Sequence, residues 1–183
     1  MSTVTPGTAT SGVATAPVTP ANLPLRKRPV DIFFIVMFSL FIVTCIISDA
    51  IPTLGIPQTA TTTNILAQWN YTYSSQYDPL YMHEPLWLRF ITGTSAFVYL
   101  PFYILLIVCL VKGFNWIQLF CVIYATMIIS LTAIPIFGVE FFGPVGERTP
   151  NPVVFLLYNG PYVLVPLLLL IRMRKPLPFT RRF

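Results

Sequence analysis

The sequence predicts an all-α, polytopic membrane protein: a bundle of four transmembrane helices behind a disordered N-terminal tail. Three observations point there. Apolar residues make up 55% of the 183 positions and charged residues only 9%, against roughly 25% charged in an ordinary globular domain. Four apolar runs approach the ~20 residues that cross a hydrocarbon core about 30 Å thick. The basic residues flank those runs instead of gathering into a patch: five of the eleven lie in the last twelve positions and three more are Arg26, Lys27 and Arg28. Mean hydropathy is +0.74. So few charges cannot keep such a chain dispersed in water, which excludes a soluble enzyme. The pI near 9.3 reflects membrane-flanking charge, and nucleic acid is not an expected partner.

Residues 1–29 form the expected disordered cytosolic tail with a basic end. Up to Leu25 they carry no charge and are rich in Thr, Ala, Pro, Ser and Gly, too little large apolar surface to offset chain entropy. The run Val30 to Ala50 is too long and starts too late for a signal peptide, and no small-x-small cleavage site follows; it reads as a retained first span. The other spans are expected at about 87–111, 115–137 and 153–172. Between the first two, residues 52–86 hold Pro52, Pro57, Pro79, Pro85, a Thr run and several aromatics but no Lys or Arg. A structured loop with one or two short surface helices fits. The membrane domain is thus 30–175, followed by a basic cytosolic tail, 176–183.

Four spans put both ends on one side. Nine cations fall there: Arg26, Lys27, Arg28, Lys112, Arg172, Arg174, Lys175, Arg181 and Arg182. Positive residues favour the cytoplasm, so both termini are expected in the cytosol and the 52–86 loop in the lumen. Asn70-Tyr71-Thr72 is a glycosylation sequon, usable only on the luminal side. Cys45, Cys109 and Cys121 all sit in apolar runs without metal-ligand spacing; they read as small buried hydrophobes, and neither a metal nor a cofactor is expected.

Where charge is scarce, each acid near the membrane asks for a reason. Asp49, near the luminal end of the first span, faces the negative end of the helix dipole and bears a further cost from partial burial. Two readings stand: an interfacial acid reaching headgroup water, or a carboxylate lining an internal cavity. Asp78-Pro79 has the form of a helix N-cap followed by proline at the first helical position. Glu84-Pro85 has the same form and marks the approach to the second span, beside His83. Pro101, Pro135, Pro161 and Pro166 each remove a backbone N–H inside a span, tolerated where neighbours or a cavity satisfy the freed carbonyls. Tyr158 and Tyr162 stand one turn apart, either as interfacial aromatics or as a pocket wall offering ring faces to a ligand. No Gly-x-Ser-x-Gly, P-loop or metal spacing appears, and His83 is the only histidine.

Asp78-Pro79-Leu80, Glu84-Pro85, Trp87 and Leu100-Pro101-Phe102 resemble the second-helix region of the EXPERA domain, nearest to its sigma-2 receptor branch, which includes the fungal efficient mitochondria targeting-associated proteins. The likeness continues through Lys112-Gly113, Trp116-Ile117, Ile134-Pro135-Ile136 and Pro161-Tyr162-Val163-Leu164-Val165-Pro166, and so spans about residues 30–175. The resemblance implies a four-helix bundle of the endoplasmic reticulum, with an occluded pocket open sideways to lipid. It implies that Asp49 meets a ligand amine, that Asp78 is needed for binding and that Tyr162 lines the cavity. Tyr158 joins these as a candidate ligand-binding residue. The implied partner is a membrane lipid, a sterol or oxysterol, with a homodimer as a candidate assembly. The implied role is lipid handling, or quality control of membrane proteins and mitochondrial precursors. Family members often carry a second-helix glutamate that shares a proton with the first-helix aspartate; Ser95 stands there in this chain. The sterol Δ8–Δ7 isomerases of the wider domain use a His and Glu spacing that His83-Glu84-Pro85 does not reproduce. A non-enzymatic lipid binder is therefore the expectation, with an isomerase and a non-binding scaffold or chaperone as alternatives.

Overall fold

The computed structural model describes residues 22–180, so the expected disorder of residues 1–21 lies outside the described residues. Every long element is a helix. Three are long and apolar enough to cross a membrane: α1 (Pro29–Thr53), α4 (Leu86–Lys112) and α5 (Ile117–Phe142). Between α1 and α4 lie α2 (Ile65–Tyr77) and α3 (Pro79–His83), the two loop helices expected there. α6 (Pro152–Asn159) and α7 (Pro161–Arg172) meet at a 42° bend, where Gly160 is followed by proline.

The two described ends settle how this bent pair counts. Asn22 bridges to Thr180, and the Leu23 N–H donates to the Phe179 carbonyl at 3.2 Å. Chain ends that meet at one end of a bundle have crossed an even number of times. α6 and α7 therefore form one broken fourth span.

Each of the three continuous spans widens to a π-helical turn: Cys45–Asp49, Ser95–Tyr99 and Ile128–Ala133. The cause is legible in the sequence. Pro52, Pro101 and Pro135 each follow such a turn, and a proline removes the N–H owed to the carbonyl four residues earlier while its ring pushes against it. Those carbonyls belong to Ser48, Phe97 and Leu131, and each lies inside the widened turn. A wide turn relieves the clash and re-aims the side chains it carries.

Lipid tails are as apolar as leucine, so packing contacts and hydrogen bonds hold the spans together. Phe34, Phe38 and Phe41 make a helical stripe on α1 that is buried against α4 and α5. The Phe38 ring lies 5.3 Å from that of Tyr103 and 5.9 Å from that of Tyr124; the two tyrosine hydroxyls are bonded at 3.2 Å. Cys45, Cys109 and Cys121 are buried free thiols. A smaller cluster, Leu80, Leu88, Ile136 and Phe155, ties the loop helices to α4, α5 and α6.

Both ends of the packed region reach past the limits suggested by hydropathy. Asp31 is fully buried and bound by Arg28 at 2.7 Å and by Arg172 at 2.8 Å. The ring of Phe179, also fully buried, takes both guanidinium groups at 5.1 and 5.2 Å. The segment after 175 thus contributes a core residue, and residues 22–28 are ordered around the turn Leu25–Lys27. A hydropathy window sees neither, because a buried ion pair and two cation–π contacts carry no apolar signal.

Glu84 departs from the expected cap. It closes α3 in the left-handed region, at φ 43°, a conformation unfavourable to any residue with a Cβ. Its carboxylate pairs with Arg89 at 2.8 Å and accepts a hydrogen bond from Gln58. α4 begins straight after Pro85 without a side-chain cap. Asp78, by contrast, does cap α3, accepting the Tyr81 N–H at 3.3 Å with Pro79 at the first helical position.

Candidate functional site

The three widened turns face one another. Together with α2, α3, α6 and α7 they enclose a cavity of about 250 Å³. Asp49 and Ser48 enter its wall from α1, Ser95 and Thr92 from α4, and Thr132 and Ala133 from α5. Asn70, Tyr73 and Ser74 come from α2, and Tyr158, Asn159 and Tyr162 from the broken span. The structure thus brings Asp49, Asp78, Tyr158 and Tyr162, far apart in sequence, to one chamber.

Asp49 is the polar centre. Its Oδ2 accepts the Ser95 hydroxyl at 2.6 Å and its Oδ1 accepts the Tyr81 hydroxyl at 3.3 Å. Of the two readings open for Asp49, the cavity-lining one is the geometry found. Ser95 is its direct partner and donates a hydrogen bond without adding a second charge. The Tyr81 phenol serves as a donor because burial, with Asp49 and Asp78 beside it, holds its pKa well above the usual value. Cys45 lies behind, its sulfur 3.6 Å from the Ser95 oxygen.

Asp78 forms the opposite polar corner and is 2% exposed. Burial pushes its pKa up to about 6, partly offset by the hydrogen bond from the Tyr81 N–H. Glu140, near the end of α5, is 1% exposed. Neither of its carboxyl oxygens has a hydrogen-bond partner among the described residues. Burial of the two carboxyl groups side by side disfavours ionising both. Sequence reading passed over Glu140 because the third span was ended at residue 137. The missed signal was simple: Val-Glu-Phe-Phe places a lone acid inside an apolar run.

The aromatic wall is built by stacking. Tyr162 lies flat on Phe41, ring centroids 4.4 Å apart and planes at 18°, and its hydroxyl bonds Thr44. Tyr158 leans on Tyr73 at 4.7 Å, and Asn159 donates to the Tyr73 hydroxyl at 3.0 Å. Trp69 and Tyr158 are 55% and 64% exposed although both line the chamber. They mark its mouth, between α2 and α6. The Ser74 hydroxyl inside it is buried without a partner among the described residues. Asn70 is 3% exposed and its amide nitrogen donates to Gln58, so the sequon side chain points into the fold.

Chemically, the chamber offers an apolar bed with one anchored carboxylate, a second buried acid in Asp78 and one free hydroxyl. That is the pattern of a small-molecule site, mostly apolar with convergent polar groups. No curated protein matches the chain. The family model for EXPERA, the expanded EBP superfamily, matches residues 65–173, which takes in α2 to α7 and every cavity residue except those of α1. With that match over more than half its length, and with a helical bundle around a polar-centred chamber, the chain belongs to the EXPERA family.

Proposed function

We propose that the protein binds a sterol-like lipid or an amphiphilic amine in this chamber, in the membrane of the endoplasmic reticulum with both termini cytosolic, and that it handles the ligand without converting it. The observation that carries the reading is the carboxylate of Asp49, held by Ser95 and Tyr81 against an apolar, aromatic-walled cavity. A hydroxyl or ammonium group can complete its coordination while a ring system lies on Tyr162 and Ile128. At about 250 Å³ the chamber is smaller than the roughly 300–1,000 Å³ of drug-sized sites. The ligand therefore goes in polar end first, its tail passing Trp69 and Tyr158 toward the bilayer. The biological role is lipid handling, with quality control of membrane proteins or precursors downstream of it.

A photoactivatable sterol tests this. It labels the wild type, is competed by unlabelled sterol, and fails to label Asp49→Asn. Equal labelling of both proteins contradicts the assignment. One observation favours a second reading, that of a sterol double-bond isomerase: Asp78, backed by Glu140, gives the chamber a second acid besides Asp49. Rescue of a strain lacking that isomerase, abolished by Asp78→Asn, supports the enzyme; absence of rescue by a well-expressed protein supports binding alone.

A further inference from the structure

A second cavity, of about 580 Å³, lies at the far end of the bundle, where the two described chain ends meet. Its floor is apolar: Val30 and Phe33 from the start of α1, Leu168 and Ile171 from the end of α7. All four are partly exposed, at 52%, 43%, 38% and 60%, on helices that lie in the membrane. Its rim is basic, with Arg172, Arg174 and Lys175 at the level where α7 leaves the membrane.

The charges of this rim are divided. Arg172 is committed to Asp31, to the Pro178 carbonyl at 2.9 Å and to the Phe179 ring. Asp31 is neutralised twice over, because Arg28 holds it as well. It has nothing left for Arg174 and Lys175, which are exposed and make no ion pair or hydrogen bond among the described residues. The segment that carries them is nevertheless pinned. Asn115 accepts the Phe179 N–H at 3.0 Å and donates to the Thr180 hydroxyl at 2.8 Å, while Leu23 bonds the Phe179 carbonyl. Two cations unpaired among the described residues are thus held in place over an apolar trough that faces lipid, with no acidic side chain other than Asp31 at that end of the described residues.

We propose that this groove binds one anionic glycerophospholipid. Its phosphate sits between Arg174 and Lys175, and one acyl chain runs along Val30, Phe33, Leu168 and Ile171. Charge complementarity selects the anionic headgroup, because basic residues at the membrane surface attract acidic lipid. The trough selects a molecule that carries chains, which a soluble anion lacks. Preformed walls spare the ordering that binding otherwise costs. This site is separate from the Asp49 chamber and does not depend on its function.

Full-length protein extracted from nanodiscs of equal phosphatidylserine and phosphatidylcholine, analysed by native mass spectrometry, provides the test. The wild type retains phosphatidylserine in preference to phosphatidylcholine. Arg174→Gln with Lys175→Gln lowers that retention about thirtyfold, the scale set by two surface cations at about 1 kcal/mol each. Ile171→Trp, which fills the trough at an exposed position without changing charge, lowers it too. Lys27→Gln with Lys112→Gln, the same change of charge away from the groove, leaves it intact. The proposal is overturned if the Lys27 and Lys112 pair loses as much lipid, if Ile171→Trp retains it fully, or if glycerophosphoserine without chains displaces it at equal concentration.

Discussion

The Ser95 hydroxyl donates to the Asp49 carboxylate at 2.6 Å, joining the widened turns of α1 and α4 at the centre of the chamber. The donor is neutral, so the anchor of the site is one carboxylate with a built-in proton donor. Ser95→Ala removes that donor and leaves an Asp49 oxygen without it. Interhelical hydrogen bonds in membranes contribute about 1–2 kcal/mol at most, so the thermal midpoint in detergent is expected to drop by a corresponding few degrees, with the fold retained by circular dichroism. An unchanged midpoint would show the bond to be dispensable.

The proline-driven turns predict a trade between stability and binding. Pro52→Ala restores an N–H for the Ser48 carbonyl and lets α1 regain regular α-helical geometry, which rotates Asp49 relative to Ser95. Such a variant should be at least as stable to heat as the wild type and should lose sterol labelling. Unaltered labelling would mean that the widened turn does not position Asp49.

The Asp78–Glu140 corner sets a pH dependence. Folding raises the Asp78 pKa from 3.8 to about 6, so the native state binds a proton more tightly than the unfolded chain. The associated stability is fully present below pH 3.8 and is lost as pH rises through about 6. Melting measured from about pH 4.5 to pH 7 should therefore show a falling midpoint. Asp78→Asn, which still caps α3, combined with Glu140→Gln should flatten the profile; a profile as steep as the wild type's would place the titration elsewhere.

Asn70 predicts a negative result with its own control. Its amide is buried against Gln58, and the folded wall has no room for a glycan, so wild-type protein should not shift on endoglycosidase treatment. Thr61→Asn creates an Asn-Thr-Thr sequon with Thr62 and Thr63 on the exposed loop before α2. That variant should be glycosylated if the loop is luminal. A shift of the wild type, or none in Thr61→Asn, counts against the wall geometry or the orientation respectively.

Much of this arrangement was legible before any coordinates. Run lengths placed the four spans, and Asp78-Pro79 announced a capped helix that is found where expected. Pro101 and Pro135 pointed to loosened ladders, and each follows a wide turn in its span; Pro52, read as a loop residue, does the same in α1. What stayed hidden were polar groups whose partners are remote in sequence. Asp31 needs Arg172, 141 positions away, and Glu140 gains meaning only beside Asp78. Glu84 misled for the same reason: Glu-Pro looks like a cap locally, but Gln58 and Arg89 draw its carboxylate elsewhere.

The central claim is that a lipid occupies the chamber bounded by Asp49 and Tyr162. Ala133, 4% exposed on the cavity wall, allows the most direct measurement: saturable sterol binding to purified wild type and Ala133→Phe, each checked for intact folding. Filling the chamber while leaving Asp49, Ser95 and Tyr162 in place should abolish binding. Equal affinity in the two proteins would contradict the account, because the ligand would then have to sit somewhere else.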